Sequence, residues 1–510
     1  MAITTSQSRL PGLLLLLLAA QPASALDWRV APSLRLRETW TDNALLAPPG
    51  QEKSDFITEI APSIALIASG PRLQLHLDAS WRKFLSQERP ASDTLQLQAG
   101  ATSELLKDWF HLDARASVTR QSVSPFGAPV IDVLPDGQNQ NTVRATVLSP
   151  YMRHRFRGLG TAELRYTRAN VSSGNDLLST RSDELQAQFD GEPRGRGWTW
   201  NASADLQRTQ DSVLAPQRKE RASVGLRYPF SRSWSGTASV GAEKEGYEAN
   251  DGRNPQGRFW SLGGVWTPSP RTSVAFSTGR RFFGQTYSLD ARFLQRHNNW
   301  SLQYSEDVTT MPAQFLRLGD SDAAGLLDQL WRGLFPDPLD RRLRIEAFLR
   351  YANAQGPRGA LNYFSHRYYL QKQLRLNLAR ATPKSTLLLG VSAVDRTAQT
   401  DSGVDSVLLP GIDLDSTDRT RQLGANAGWS WRASPRSSVN VNAGYGSVRS
   451  LSAPRRDDNL TFTAGYSRIL QSNMTASIDV RRTRHRSRQG GSHSGDFREN
   501  GVSATLTMQF

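Results

Sequence analysis

The chain has 510 residues, no cysteine and a net charge of +15. Only 38% of its residues are hydrophobic, and its mean hydropathy is −0.50. The lack of cysteine excludes a disulfide scaffold and a cysteine-ligated metal. The positive charge is mostly arginine, spread along the chain among acidic residues, which argues against a nucleic-acid-binding patch.

The first residues have the pattern of a secretory signal peptide. Arg9 precedes an apolar run from Leu13 to Ala20, and Ala23 and Ala25 then provide a small-residue cleavage motif. We therefore expect a signal peptide over residues 1–25. A membrane anchor is the alternative, but the apolar run is too short to span a bilayer comfortably.

Most of the remaining chain alternates between apolar and polar residues. Leu73, Leu75 and Leu77, for example, are separated by Gln74 and His76. A period of two predicts β-strands with one apolar and one polar face. The main predicted strands, in chain order, are Leu34–Trp40, Phe56–Leu66, Leu73–Trp81, Leu95–Ala101, Phe110–Val118, Val143–Val147, Ala162–Tyr166, Leu185–Phe189, Trp198–Leu206, Ala222–Tyr228, Trp234–Ala242, Trp260–Trp266, Val274–Thr278, Tyr287–Phe293, Trp300–Tyr304, Tyr368–Leu378, Leu387–Ala393, Leu423–Trp431, Val439–Tyr445, Leu460–Tyr466, Met474–Val480 and Val502–Phe510.

These strands predict an all-β, antiparallel, transmembrane β-barrel in the outer membrane over residues 26–510. We expect about 22 strands, within about 18 to 24, mostly roughly 9–13 residues long. Short turns alternate with long polar loops, as expected for periplasmic turns and extracellular loops. Aromatic residues such as Trp81 and Trp234 end several strands, where they would form girdles at the lipid interfaces. A soluble sandwich, propeller or β-helix is the alternative, but no repeat of fixed length is visible.

The last strand ends on Phe510. From Val502 onward, apolar and polar residues alternate strictly. An exposed apolar strand would be an aggregation hazard in water, but it fits a strand that faces lipid and closes a barrel. Such an ending is similar to the C-terminal signal of bacterial outer-membrane proteins. We therefore predict that Phe510 is an assembly signal, with outer-membrane lipid and the barrel assembly machinery as partners.

One segment breaks the alternating pattern, over residues 306–361. Leu326, Leu327, Leu330 and Trp331 recur at helical spacing, and Asp320-Ser321-Asp322 provides a candidate N-cap. A second helical stretch is expected from Leu343 to Tyr351. The parity of the strands makes this insertion extracellular, where it would be a plug, a cap or a decorative loop.

Charged residues occupy the polar positions of many strands. On the lipid face, each would cost roughly 2–4 kcal/mol near the bilayer midplane, so we expect these charges to line the lumen. An arginine excess would favour anionic solutes, whereas arginine–carboxylate pairing that fills the barrel is the alternative. The predicted lumen-lining charges are Arg115, Arg144, Arg165, Arg227, Arg292, Asp78, Asp113, Glu163, Asp205 and Asp290.

The sequence offers little support for an enzyme. The seven histidines are scattered, without metal-ligand spacing, and no nucleophile-elbow or phosphate-binding motif is present. We therefore predict no cofactor and no catalytic activity. An outer-membrane lipase or glycan-acting enzyme assembled from separate strands is the less favoured alternative.

Several stretches together resemble the PEP-CTERM system-associated outer-membrane proteins, which occur with exosortase and exopolysaccharide gene clusters. The stretches are Leu36–Asn43, Glu52–Pro62, Gly279–Gly284, Tyr304–Thr310 and Arg498–Asn500. The resemblance implies a barrel tied to exopolysaccharide production or export, with a polysaccharide and periplasmic export components as partners. The arginine excess would favour an anionic polysaccharide. A general diffusion porin is the alternative function.

Overall fold

The computed structural model describes most of the predicted mature chain. The described residues are 26–510 except 129–138, 175–178, 194–196, 213–215, 251, 253–254, 311–312, 315–321, 333–334, 339, 343, 346–347, 349–362, 364, 406–413 and 490–494. The predicted signal peptide, with Ala23 and Ala25, lies outside these residues.

The described chain is built almost entirely from β-strands. The strands are β1 (Asp27–Thr41), β2 (Asp55–Ser69), β3 (Leu73–Leu85), β4 (Ser92–Leu106), β5 (Phe110–Ser122), β6 (Gln140–Phe156), β7 (Gly160–Ser173), β8 (Ser179–Gly191), β9 (Thr199–Asp211), β10 (Gln217–Pro229), β11 (Trp234–Glu245), β12 (Gln256–Ser269), β13 (Thr272–Arg281), β14 (Gly284–Leu294), β15 (Asn298–Thr310), β16 (Tyr368–Ala381), β17 (Ser385–Ala398), β18 (Arg419–Ser434), β19 (Ser437–Ser450), β20 (Arg455–Gln471), β21 (Met474–Gln489) and β22 (Phe497–Gln509).

Helical structure is confined to the connections. Helix α1 covers Asp322–Trp331, and short 3₁₀ turns cover Ser402–Asp405 and Leu414–Thr417. Residues 344–345, within the second predicted helical stretch, are also helical. No helix among the described residues is long and apolar enough to cross a membrane.

The strands form one closed antiparallel sheet of 22 strands, which confirms the predicted fold class and strand number. Each strand pairs with the next along the chain, and β22 pairs with β1, with Leu506 opposite Leu36. The backbone N–H of Phe510 donates to the carbonyl of Pro32 at 3.0 Å, beyond the last paired residues. Closure leaves no free sheet edge, as a membrane barrel requires.

The two faces of the sheet differ in the way that the alternation predicts. In β22, Val502 is 43% exposed on the outer face, whereas the next residue, Ser503, is 7% exposed on the inner face. The outer face carries exposed leucine, valine and isoleucine, with tryptophans towards the strand ends, such as Trp81, Trp234 and Trp431. This arrangement is an apolar band with aromatic girdles, which places lipid around the barrel.

The two ends of the barrel have different connections. At one end of the barrel, each even-numbered strand is joined to the next strand by a short link, such as 382–384 or 472–473. We call this end of the barrel the short-turn end. Most links at the opposite, long-loop end are longer, including 123–139 and 311–367. The two-residue connection 282–283 is an exception, which the predicted alternation of short and long links did not foresee.

The strands are longer than the prediction of about 9–13 residues, because β6 and β20 each have 17. A strand rises about 3.3 Å per residue, so a tilted strand of this length extends beyond the hydrocarbon region. Several loops are correspondingly shorter than expected. The connection expected at Arg484–Glu499 is reduced to residues 490–496.

Candidate functional site

The strand register assigns each predicted lumen residue to a face of the sheet. Directly paired residues share a face, and exposed apolar side chains identify the outer one. Nine of the ten predicted charges lie on the inner face, namely Arg115, Arg165, Arg227, Arg292, Asp78, Asp113, Glu163, Asp205 and Asp290.

Arg144 does not line the lumen, so this prediction is wrong. It is paired with Val118 and Ser172 on the outer face, near the long-loop end. Its neighbours Val143 and Ala145 point inward and are buried. Because these two inward residues of β6 are apolar, the rule that apolar residues face lipid selects the wrong side here.

The inner wall contains charge networks that span several strands. Arg165 donates to Asp113 at 2.9 Å and to Glu163 at 3.0 Å. Its guanidinium carbon lies 3.8 Å from the centre of the Tyr151 ring. This cluster of one arginine and two carboxylates lies about half-buried, and it supports the charge-pairing interpretation of these residues.

The most deeply buried arginine–glutamate pairs among the described residues lie on the inner wall near the long-loop end, and the sequence analysis did not identify them. Arg82 Nε donates to Glu59 Oε1 at 2.8 Å, and both side chains are almost fully buried. Arg481 donates to both oxygens of Glu499, at 2.5 and 3.0 Å. Removing one partner of such a buried pair leaves an uncompensated charge, which typically costs about 3–5 kcal/mol.

A third buried arginine joins strands that are further apart. Arg281, at the end of β13, pairs at 2.7 Å with Glu243 of β11 and at 2.7 Å with Asp307 of β15. The wall at the long-loop end is thus held by cross-strand pairs. The sequence indicated only that arginines and carboxylates both occupy inward positions. It did not indicate which of them pair, because the partners are tens of residues apart.

The connection 311–367, which we call the inserted segment, begins and ends at the long-loop end. Its helix α1 nevertheless packs near the short-turn end. Leu327 and Trp331 are buried against Ala379, Ala381 and Leu388, which are inward residues beside the turn 382–384. Trp331 Nε1 also donates to inward-facing Thr386 at 3.2 Å. The described contacts therefore place α1 inside the lumen and not above the barrel as a cap.

Polar contacts extend the inserted segment towards other strands of the barrel. Arg342 lies 3.4 Å from Asp78 of β3, and Asp337 lies 2.5 Å from Arg29 of β1. Strand β3 is eight strands further around the ring than β17, against which α1 packs. The inserted segment therefore contacts two well-separated parts of the wall.

Within the inserted segment, Asp328 joins α1 to the chain that follows it. It pairs with Arg332 at 2.8 Å and with Arg341 at 2.7 Å. Burial alone would raise the pKa of Asp328, but the hydrogen bonds from Arg341 and Arg332 outweigh it. The pKa of Asp328 is therefore below its ordinary value.

The end of the inserted segment is fixed at the long-loop end. His366 Nδ1 lies 2.7 Å from Asp211 of β9, and Arg367 lies 2.7 Å from Asp418. Asp405 accepts from Ser365 Oγ and from the backbone N–H of His366, both at 2.7 Å. Burial raises the pKa of Asp405, although these hydrogen bonds oppose the shift.

Arg396 of β17 holds both ends of the inserted segment together. Its guanidinium group donates to the side-chain oxygens of Gln371 at 2.8 Å, Gln314 at 3.0 Å and Gln422 at 3.3 Å. The ring of Tyr363 lies 5.3 Å from the guanidinium carbon. Because Gln314 and Tyr363 belong to opposite ends of the segment, one buried arginine anchors them both.

The geometry defines a barrel whose lumen is occupied by its own chain and lined by paired charges. Among the described residues, no group of three or more histidine, aspartate or glutamate side chains is arranged to hold a metal ion. The closed sheet and its lipid-facing band make the protein an integral β-barrel of the outer membrane.

No family model matches the chain, and no curated protein matches it. Among solved structures it is similar to the FrpB iron transporter from Neisseria meningitidis, with 9% identity, a TM-score of 0.48, and coverage of 96% of this chain and 83% of that one. It is also similar to the siderophore receptor PirA from Pseudomonas aeruginosa (10%, 0.42, 94% and 80%) and to OpdK from the same organism (9%, 0.33, 94% and 99%). At such low identities and TM-scores, these likenesses carry no argument about substrate.

Proposed function

We propose that this protein is an outer-membrane channel, or a component of an export assembly, that serves exopolysaccharide secretion and is closed at rest by the inserted segment. The observation that carries the gating part is the packing of α1 on Ala379, Ala381 and Leu388 inside the lumen. A segment that enters at one end of a barrel and docks near the other obstructs the path between them. Long connections of this kind often carry the function of a scaffold.

Two observations support an anionic polymer as cargo. Arg227 lies on the inner face near the short-turn end, and Arg292 is 61% exposed to the lumen. Guanidinium groups bind carboxylate and phosphate oxygens in a bidentate manner. The proposal that the cargo is a polysaccharide depends on the resemblance to the PEP-CTERM system-associated proteins, so this part has a separate test.

Conductance in planar bilayers tests the gate and separates an export component from a general porin. Thr310 is paired directly with Tyr368, so a short glycine–serine linker can replace residues 315–362 while the anchors around Gln314 and Arg367 remain. We expect the complete protein to be largely closed and the deletion variant to conduct steadily. A matched control removes residues 406–413 from the connection between β17 and β18.

Each outcome of this experiment decides between the interpretations. Free conductance by the complete protein would favour a diffusion porin. Equal conductance before and after deletion of 315–362 would refute the gate. Heat-modifiable migration on gels checks that every variant forms a barrel before its conductance is compared.

The exopolysaccharide part is tested in cells. Deleting the gene should abolish extracellular polymer while polymer synthesis continues, so that polymer accumulates inside the cell. Normal secretion by the deletion strain would refute this part and leave the gate unaffected. Hydrolysis of phospholipid or polymer by the pure protein would instead favour an enzyme.

A further inference from the structure

A row of arginines crosses the outer face of four neighbouring strands. The register places Arg421 opposite Arg449, Arg449 opposite Arg456, and Arg456 opposite Arg488. One strand further, Arg484 of β21 is opposite Arg498 of β22. Like charges directly opposite each other destabilise a sheet, so this arrangement calls for an anionic partner.

The row lies immediately beside the lipid-facing band, on the long-loop side. In β21, the outward residues Ile478 and Val480 are 60% and 46% exposed. The next outward residues along the same strand are arginines at 482, 484, 486 and 488. Long loops face the cell exterior in barrels of this kind, so these arginines lie at the level of the outer-leaflet headgroups.

Few carboxylates neutralise this surface. Asp395 binds Arg421 through two contacts of 2.8 Å, and Asp458 lies 3.0 Å from Arg456. No carboxylate in the described part of the chain lies within ion-pair distance of the other arginines of the patch, which are Arg449, Arg482, Arg484, Arg486, Arg488 and Arg498.

On β21 and β22, the inner face differs from the outer face in how its arginine is paired. There, Arg481 is buried and fully paired with Glu499. In β21 and β22, the arginines without a carboxylate within ion-pair distance therefore lie on the side that faces lipid.

The patch also contains a recess of a size suitable for a headgroup. A cavity of about 630 Å³ is lined by Arg449, Arg456 and Arg488, together with the loop residue Leu451. The side chains of three arginines thus line one recess. The apolar band directly beside them provides a surface for acyl chains.

We propose that the outward face of β18–β22 at the long-loop end is a binding site for the phosphorylated, multiply acylated glycolipid of the outer leaflet. The guanidinium groups would bind its phosphates, and the apolar band would contact its acyl chains. An acidic polysaccharide offers the charge but not the acyl chains, so the observations favour the lipid.

Binding of purified lipid A to the protein in detergent tests the proposal. The test variant combines Arg449→Gln, Arg484→Gln and Arg488→Gln. The control variant combines Arg144→Gln, Arg258→Gln and Arg280→Gln, which are also exposed, outward and near the long-loop end. Both remove three positive charges. We expect the test variant to bind lipid A roughly tenfold to a hundredfold more weakly and the control to bind nearly as the unmodified protein does.

Several results would overturn the assignment. The first is equal binding of lipid A by the test and control variants. The second is equal binding of lipid A after removal of its phosphates. The third is displacement of lipid A by millimolar inorganic phosphate, or by an acidic polysaccharide that binds with an affinity comparable to that of lipid A. If the test variant does not fold, the salt dependence of binding by the unmodified protein decides. Affinity that does not fall with rising salt would refute a site built on arginine–phosphate contacts.

Discussion

Replacing Leu327 with alanine tests whether packing of α1 keeps the lumen closed. Leu327 is fully buried, between the helix and inward-facing Ala379 and Leu388. Truncating such a leucine typically costs about 2–5 kcal/mol. Because the strands remain paired, we expect this loss to fall on docking of the inserted segment. The ratio of undocked to docked segment would then rise by roughly thirtyfold to a few thousandfold.

Single-channel recording in planar bilayers measures this ratio directly as the fraction of time spent open. The matched control is Leu374→Ala, which truncates an outward leucine of β16 that is 38% exposed. We expect the control to leave gating unchanged and both variants to keep the heat-modifiable migration of a closed barrel. An open fraction for Leu327→Ala no higher than that for Leu374→Ala would refute the role of this packing.

Three further predictions concern assembly, barrel stability and pH. Deleting Phe510, which is 76% exposed, should lower the amount of protein in the outer membrane far more than its small burial explains; normal levels would refute the assembly signal. Glu499→Gln should lower the free energy of unfolding in urea by about 3–5 kcal/mol, because Arg481 would lose its buried, charged partner. The control Asp290→Asn, which breaks an exposed ion pair, should change this free energy by less than about 1 kcal/mol. The hydrogen bonds from Arg341 and Arg332 hold the pKa of Asp328 below its usual value, so its contribution to the folded structure of the inserted segment is present above about pH 3.8 and is lost as the pH falls below that value. Loosening the segment in this way should open the channel, and channel opening that does not increase in this range would contradict the prediction.

The barrel could be predicted from the sequence because its outer face depends on local alternation. In strands such as β22, with Val502 outward and Ser503 inward, the alternation within the strand predicts which face points outward. The neighbouring strands need not be known. The same rule placed nine of ten charges on the correct face. It failed at Arg144, where Val143 and Ala145 are buried inside the barrel and not against lipid.

The contents of the lumen were less accessible to sequence reasoning. The pairs Arg82–Glu59 and Arg281–Glu243 depend on which strands are neighbours and on their register, which no single segment reveals. Helical spacing identified α1 but not its position. A usable signal did exist in β16, where Ala379 and Ala381 are small apolar residues on an otherwise polar inner face. Such residues indicate that something packs against the wall.

The pairing of Thr310 with Tyr368 has a consequence for how the barrel is built. The intervening residues 311–367 make this the longest gap between consecutive strands, whereas β13 and β14 are joined by only residues 282–283. Closing the longer gap costs roughly 3 kcal/mol more in chain entropy. The chain is thus divided into a sheet of fifteen strands and a sheet of seven, and β15–β16 is the seam between them. We expect the two sheets to form separately and to join late at this seam, beside the segment that then occupies the lumen.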